Sequence, residues 1–457
     1  MKTIKRHNLF YHHPQNNLYR LFLWIVLILI GVWLIRQVNQ GDVQPLFLPT
    51  PTPTRTADSY ALEGDAQFTA GKLDAAITAY RQAVTVDPNN AEVWAKLARI
   101  QTYSSALLTT DAEQRQRLQD ALDSINQAVK INPDDSTVHA IRAFVLDWNA
   151  NPTLVDDKQV QSYLAEASQE ALQALQQDST NTLALAFYAE ILVDQQKWSE
   201  AEQYIQQALA RDPSLMDVHR VNAYVLETLG QYNQAIQEYD TAITIAPNLT
   251  FLYLRAGANY RTLGFKATNP ESQTELYNQA LVYFAKAARI NEQLQIQDPI
   301  PYLSIAKTYS QMGEFFIAAR NVQKALSFSP ANADIYGQLG VIYFKSRNYE
   351  GSIPTLKCAV RGCTADESCL GRGLERCTAD DPGVAVSGLP LSPNTVVYYY
   401  TYGSVLAALS RPDRNYCPEA VQVLGEVKTA FGGDTTIMSI VQAGEEICQS
   451  LASSNTP

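Results

Sequence analysis

Between Thr182 and Leu249 the chain repeats itself: two consecutive 34-residue stretches superimpose without a gap. The first places Leu185, Tyr188, Ala189 and Leu192 at positions 4, 7, 8 and 11, then Trp198, Ala201, Ile205, Ala208 and Pro213 at 17, 20, 24, 27 and 32. The second puts His219, Asn222, Ala223, Leu226, Tyr232, Ala235, Tyr239, Ala242 and Pro247 at the same positions, with Gly230 at 15. The early set lays an apolar stripe along one helix and the later set along a second. Alanine at three of these positions lets the two helices approach to roughly 8–10 Å, and the proline ends the second helix. One such hairpin cannot bury its own apolar faces. Neighbours must stack, so the expected fold class is an all-α solenoid.

The period and the pattern of aromatic, glycine or alanine and terminal proline resemble the tetratricopeptide repeat. The register continues from Ala57. Repeat one (57–90) carries Tyr60, Gly64, Gly71, Ala76, Tyr80, Ala83 and Pro88. Repeats two (91–135), three (136–181) and six (250–294) each hold a long insert between their two helices, expected as lengthened helix along one edge. Repeat seven (299–332) is regular, and repeat eight runs from Tyr336 to Ala359, closing the 57–359 array. Residues 360–395 are rich in Gly, Cys, Asp and Pro and read as an irregular insert. Residues 396–452 restore a ninth repeat through Tyr399, Gly403, Leu406, Ala420 and Leu424, followed by a capping helix and a 453–457 tail.

Residues 1–20 are polar and basic, with Lys2, Lys5, Arg6 and Arg20 and no acid. Leu21 to Ile35 is unbroken apolar sequence. As a helix it spans about 22 Å, short of the ~30 Å hydrocarbon core, but Arg20 and Arg36 can snorkel and Trp24 and Trp33 suit the interfaces. No repeat spacing supports a buried core helix here, and no small-x-small site supports a cleaved signal peptide. Residues 21–36 therefore read as one transmembrane signal anchor, with the N-terminus cytoplasmic and the repeats outside. Residues 37–56, with Pro45, Pro49, Pro51 and Pro53, form an expected extended spacer.

A net charge of −11 argues against a nucleic-acid partner. No glycine-rich phosphate loop, G-x-S-x-G elbow or H-E-x-x-H motif is present, so neither an enzyme nor a cofactor is expected. His139 and His219 both occupy position 4, where a packing residue belongs. The six cysteines are Cys358, Cys363, Cys369, Cys377, Cys417 and Cys448. Their spacing lacks the C-x2-C knuckles of zinc ribbons, and outside the cytoplasm disulfides persist. Antiparallel neighbouring helices would bring Cys417 to Cys448, pinning the cap. The other four would pair in one of three connectivities.

The resemblance implies that positions 2, 5, 9, 12 and 13 of first helices line a concave partner-binding groove. Here these include Phe68, Tyr103, Phe144, Trp148, Tyr224, Phe251, Leu254, Phe344 and Tyr400, with Asp65, Glu190, Asp194, Arg99, Arg220 and Arg261 among them. The lysine and asparagine set that grips a peptide carboxylate in chaperone-binding members is absent. Asn248-Leu249-Thr250 is a glycosylation sequon. The expected function is a membrane-anchored scaffold binding a protein or peptide partner. The alternative is a structural subunit of a larger assembly, for which self-association would be the sign.

Overall fold

The computed structural model describes residues 17–40 and 55–454. They belong to two compact bodies, residues 1–55 and residues 56–457. Among its described residues the first body is a single helix, α1 (Leu18–Gln40). It is longer than the apolar run of Leu21 to Ile35. Twenty-three residues reach about 34 Å, enough to cross a hydrocarbon core of about 30 Å. From Leu18 to Ile35 its large apolar side chains are exposed, with Val26 half-buried. Lys2, Lys5 and Arg6 and the prolines of the expected spacer lie outside the described residues.

The second body is a row of helix pairs. Repeats one to three are α2 (Ala57–Thr69) with α3 (Leu73–Val86), α4 (Ala91–Ser105) with α5 (Asp111–Ile131), and α6 (Ser136–Asn149) with α7 (Asp157–Gln177). The two regular repeats follow as α8 (Thr182–Asp194) with α9 (Trp198–Arg211) and α10 (Met216–Thr228) with α11 (Tyr232–Ile245). Repeats six to eight are α12 (Thr250–Lys266) with α13 (Pro270–Leu294), α14 (Ile300–Gln311) with α15 (Phe315–Phe328), and α16 (Ala333–Lys345) with α17 (Tyr349–Val360). A short helix, α18 (Ala365–Gly371), precedes the ninth pair, α19 (Val396–Leu409) with α20 (Cys417–Phe431). Last comes α21 (Thr435–Ser454), packed on both helices of that pair. Among the described residues there is no strand, only two isolated bridges.

Within each pair a small residue admits a large partner. A Cβ on Gly64 would lie 2.6 Å from the Tyr80 ring, and one on Gly257 would lie 2.6 Å from Phe284. Between pairs a hydrogen bond recurs. The side chain at position 4 reaches the carbonyl of the proline that ended the previous repeat: Trp94 to Pro88 at 3.0 Å, Tyr253 to Pro247 at 2.9 Å and Tyr336 to Pro330 at 2.9 Å. His139 and His219 do the same to Pro133 and Pro213, at 2.7 and 2.8 Å. Their other ring nitrogens sit 2.6 Å from Glu170 and Glu238. Any side chain with a ring N–H or O–H at the right reach serves this joint, which explains a set of Trp, Tyr and His at one position. The Glu238 hydrogen bond, foremost, raises the His219 pKa above its ordinary value.

The long inserts are helical. They add turns to the start of α5, α7 and α13, which run 21, 21 and 25 residues. Curvature then carries the row round on itself. The turn of repeat one meets the joint of repeats five and six, where Asn248 donates to the Thr69 carbonyl at 3.2 Å. Gly71, at φ +80°, lies flat against the Asn248 carbonyl, and a side chain there would meet both strain and backbone. At the joint of repeats seven and eight, Asn332 donates to Thr109 Oγ1 of repeat two at 3.0 Å. A glycan on Asn248 would have to break the first of these contacts.

Residues 360–395, expected as an irregular loop, hold more structure than that. Thr364 and Glu367 form a reciprocal capping box at the start of α18. The Lys357 ammonium, 2.5 Å away, holds the Glu367 carboxyl down to about 2. Cys363 and Val386 pair backbone to backbone, and Leu389 donates to the Ala359 carbonyl at 2.8 Å. Composition hid this because the order comes from caps and cross-links rather than from an apolar period.

Gly257→Val should destabilise the chain by about 1–3 kcal/mol, because the Phe284 ring has nowhere to retreat. Gly425→Ala, with nothing within 4 Å of the added carbon, should stabilise helix α20 by about 0.5–1 kcal/mol. Denaturant unfolding of the two variants measures both, and equal effects would contradict the packing described.

Candidate functional site

The first helices α4, α6, α8, α10 and α12 converge on the inside of the closed turn. Asp217, 1% exposed, lies at the meeting point. It accepts hydrogen bonds from Arg99 and from the Tyr103 hydroxyl, more than a hundred residues away in the chain. Arg220, 6% exposed, donates to both oxygens of Glu190 at 2.7 and 2.6 Å and to the Tyr103 oxygen at 3.2 Å. Aromatic rings seal the cluster. Tyr103 stacks on Phe251 with centroids 5.1 Å apart, Phe144 stacks on Phe187 at 4.5 Å, and Trp148 stands edge-on to Tyr103 at 5.8 Å. The Arg99 guanidinium lies over Phe68 and that of Arg220 over Phe144.

The expected groove is therefore not open along its whole length. Tyr103, Phe144, Phe251 and Arg220 are buried, and with Arg99 and half-buried Phe68 they knit the turn together. Loss of water and opposite charges act together here, and paired arginines in such a setting stay ionised. Phe344 packs on Tyr349 and Tyr400 on the C-terminal core, outside both of the clefts that remain.

The first cleft, about 700 Å³, opens beside the cluster. Trp148, Tyr224, Phe251, Leu254 and Arg220 line it, together with Asp147, Glu190, Asp194 and Arg255. Its arginines already have carboxylates: Arg220 holds Glu190, and Arg255 holds Glu227 at 2.9 Å. Asp194 accepts only a hydroxyl, from Tyr224 at 2.6 Å. Asp147 is 3% exposed, and its Oδ1 receives no hydrogen bond. Burial, with the charges of Asp194 and Glu190 beside it, pushes the Asp147 carboxyl well above the carboxylate range. Asp194 is pushed up to about 6, first by loss of water and then by Glu190, against the Tyr224 hydrogen bond.

The second cleft, about 650 Å³, has the opposite sign. Arg261, Lys307 and Lys345 line it with Ser304, Gln338 and Tyr398. None of the three cations forms an ion pair among the described residues. Loss of water lowers Arg261, and it lowers Lys307, which also feels the Arg261 charge. Ile300 lines both clefts, so the two adjoin.

Asp194 was among the expected groove residues, whereas Asp147, Lys307 and Lys345 were not, although they occupy positions 12, 9 and 13 of repeats three, seven and eight. The register contained them. An emphasis on aromatic residues and the charges beside them passed over these three. At the C-terminal end Cys417 is bonded to Cys448, Cys358 to Cys363 and Cys369 to Cys377. Among the described residues no group of His, Cys, Asp and Glu has the arrangement of a metal site.

Two family models match the chain, one described as TPR repeat over residues 64–102 and one as tetratricopeptide repeat over residues 189–250. The chain contains tetratricopeptide repeats. The second match falls on the regular pair of repeats, where the spacing is cleanest. Among solved structures, a human IFIT1 dimer with PPP-AAAA is similar at 16% identity, covering 88% of this chain and 92% of that chain with a TM-score of 0.52. A thermophilic TPR protein of Thermus thermophilus matches at 18% identity, over 45% of this chain and 98% of that chain, with a TM-score of 0.37. The likeness to IFIT1 concerns the fold alone. No curated protein matches the sequence.

Asp147 ties the site to stability. Its folded pKa lies above its unfolded one, so the folded chain binds more protons between the two values. Stability is whole below the unfolded pKa and falls as pH rises above about 4. Asp147→Asn should therefore raise the unfolding free energy at about pH 8, by about 1 kcal/mol or more. The gain should vanish near pH 4, as thermal unfolding across that range would show.

Proposed function

We propose that this protein is a non-enzymatic, single-pass membrane scaffold whose repeats face away from the cytoplasm and bind a protein or peptide partner along the concave surface. The observation that carries the reading is the pair of adjoining clefts of opposite sign that meet at Ile300. Each contains charges the chain does not neutralise, on helices held rigid by the closed turn. Such a surface suits an extended segment with a basic group near an acidic one. The IFIT1 structure holds PPP-AAAA. A phosphate-rich ligand of that kind fits this chain poorly, because the larger cleft is acidic and the net charge is −11.

Helix α1 supports the anchor by its length and exposed apolar surface. Cysteines at bonding distance in three pairs support an oxidising compartment. The basic residues that precede α1 support a cytoplasmic N-terminus.

Two measurements check this reading. Full-length protein purified without reductant should show no free thiol by mass spectrometry, whereas six free thiols would place the repeats in a reducing compartment. A photo-crosslinking residue at Leu254 or Leu303, one in each cleft, should give a discrete adduct with another protein in intact membranes. The same probe at exposed Val421 should give none. Adducts only with further copies of the chain would favour a structural subunit instead.

A further inference from the structure

The acidic cleft contains two carboxylates that the protein leaves without a cation. Every arginine facing it is committed: Arg220 to Glu190 and Arg255 to Glu227. Asp147 from α6 and Asp194 from α8 remain, close enough in space that the Asp194 charge raises the Asp147 pKa. The buried Asp147 Oδ1 receives no hydrogen bond, a state that destabilises a folded chain. A fold that tolerates this has an acceptor waiting for a donor.

The walls narrow the choice of donor. Trp148, Tyr224 and Phe251 border the same cleft, and the face of an aromatic ring attracts a cation. At about 700 Å³ the space far exceeds a bare ion. Among the described residues no acid cluster has the arrangement of a metal site. From the geometry we infer that Asp147 and Asp194 form a pocket for an organic cation, the ammonium or guanidinium of a lysine or arginine side chain on the bound partner. This rests on the partner-binding reading above and names one anchor of that partner.

The pocket has a built-in pH response. Facing the two aspartates are Glu190 from α8, Arg220 and Tyr224 from α10, and Arg255 from α12. Without a cation the carboxyls hold protons up to higher pH than usual, and a bound ammonium favours their ionised forms. Binding releases a proton. Affinity should rise as pH climbs from about 5.5 to about 8, a range over which lysine itself stays charged.

The test uses the full-length protein in detergent and a capped pentapeptide with one central lysine flanked by glycines, followed by isothermal titration. The lysine peptide should bind at least about ten-fold more tightly than the same peptide with glutamine or norleucine at the centre. Asp147→Asn combined with Asp194→Asn should weaken it at least about ten-fold, while Asp123→Asn, an exposed carboxylate on α5, should leave it unchanged. Near-isosteric asparagine keeps the fold, and an unfolding midpoint no lower than the parent's confirms that. Equal affinity for lysine and glutamine peptides, or no effect of the double substitution, would overturn the pocket. Displacement of the peptide by about 1 mM calcium would overturn its assignment to an organic cation. If the lysine preference fails while crosslinking at Leu303 persists, this inference falls alone. Loss of crosslinking at both clefts would remove the partner-binding reading itself.

Discussion

Asp217 is the residue on which the shape of the array turns. A solenoid built by stacking alone would have only neighbour contacts. Here a buried carboxylate on repeat five takes Arg99 and Tyr103 from repeat two. Its two donors and the nearby Arg220 charge offset the cost of removing it from water. The backbone contacts of Asn248 with Thr69 and of Asn332 with Thr109 then follow the same curve. A closed turn has a fixed interior. That is why the two clefts have definite walls.

The same logic assigns roles to side chains that look alike in the sequence. Arg99 and Arg220 are satisfied internally and serve the fold. Arg261, one repeat further on, has no carboxylate partner and faces a cleft with Lys307 and Lys345. Asp217 closes the turn, whereas Asp147 and Asp194 leave charge over. Residues of one chemical type thus differ by whether a partner of opposite sign lies within reach. Asp147 shows the cost most plainly, since a buried carboxyl oxygen without a hydrogen bond weakens the fold that holds it.

The fold class was legible because the repeat fixes local contacts: apolar period, small residues at the helix crossing and proline at the exit all act within about 34 residues. The helical character of the inserts was legible for the same reason. What the spacing could not reveal was contact between repeats two and five. Nothing in the sequence of Tyr103 distinguishes a groove-lining tyrosine from one that bonds a carboxylate 114 residues away. The groove was thus expected to be open where several of its side chains are buried, and Asp194 was expected to line it, whereas Asp147, Lys307 and Lys345 were passed over although they sit on the same register positions. The histidines at position 4 were expected to pack and in fact also bond, to the proline carbonyl of the repeat before.

Closure of the turn is best tested by a double-mutant cycle on Arg99 and Asp217, with unfolding free energies for Arg99→Met, Asp217→Asn and the pair. If the two side chains meet across the turn, the cycle should return a coupling of about 1–3 kcal/mol. Additivity to within about 0.3–0.5 kcal/mol would mean the two never meet. The closed turn, and with it the walls of both clefts, would then be contradicted.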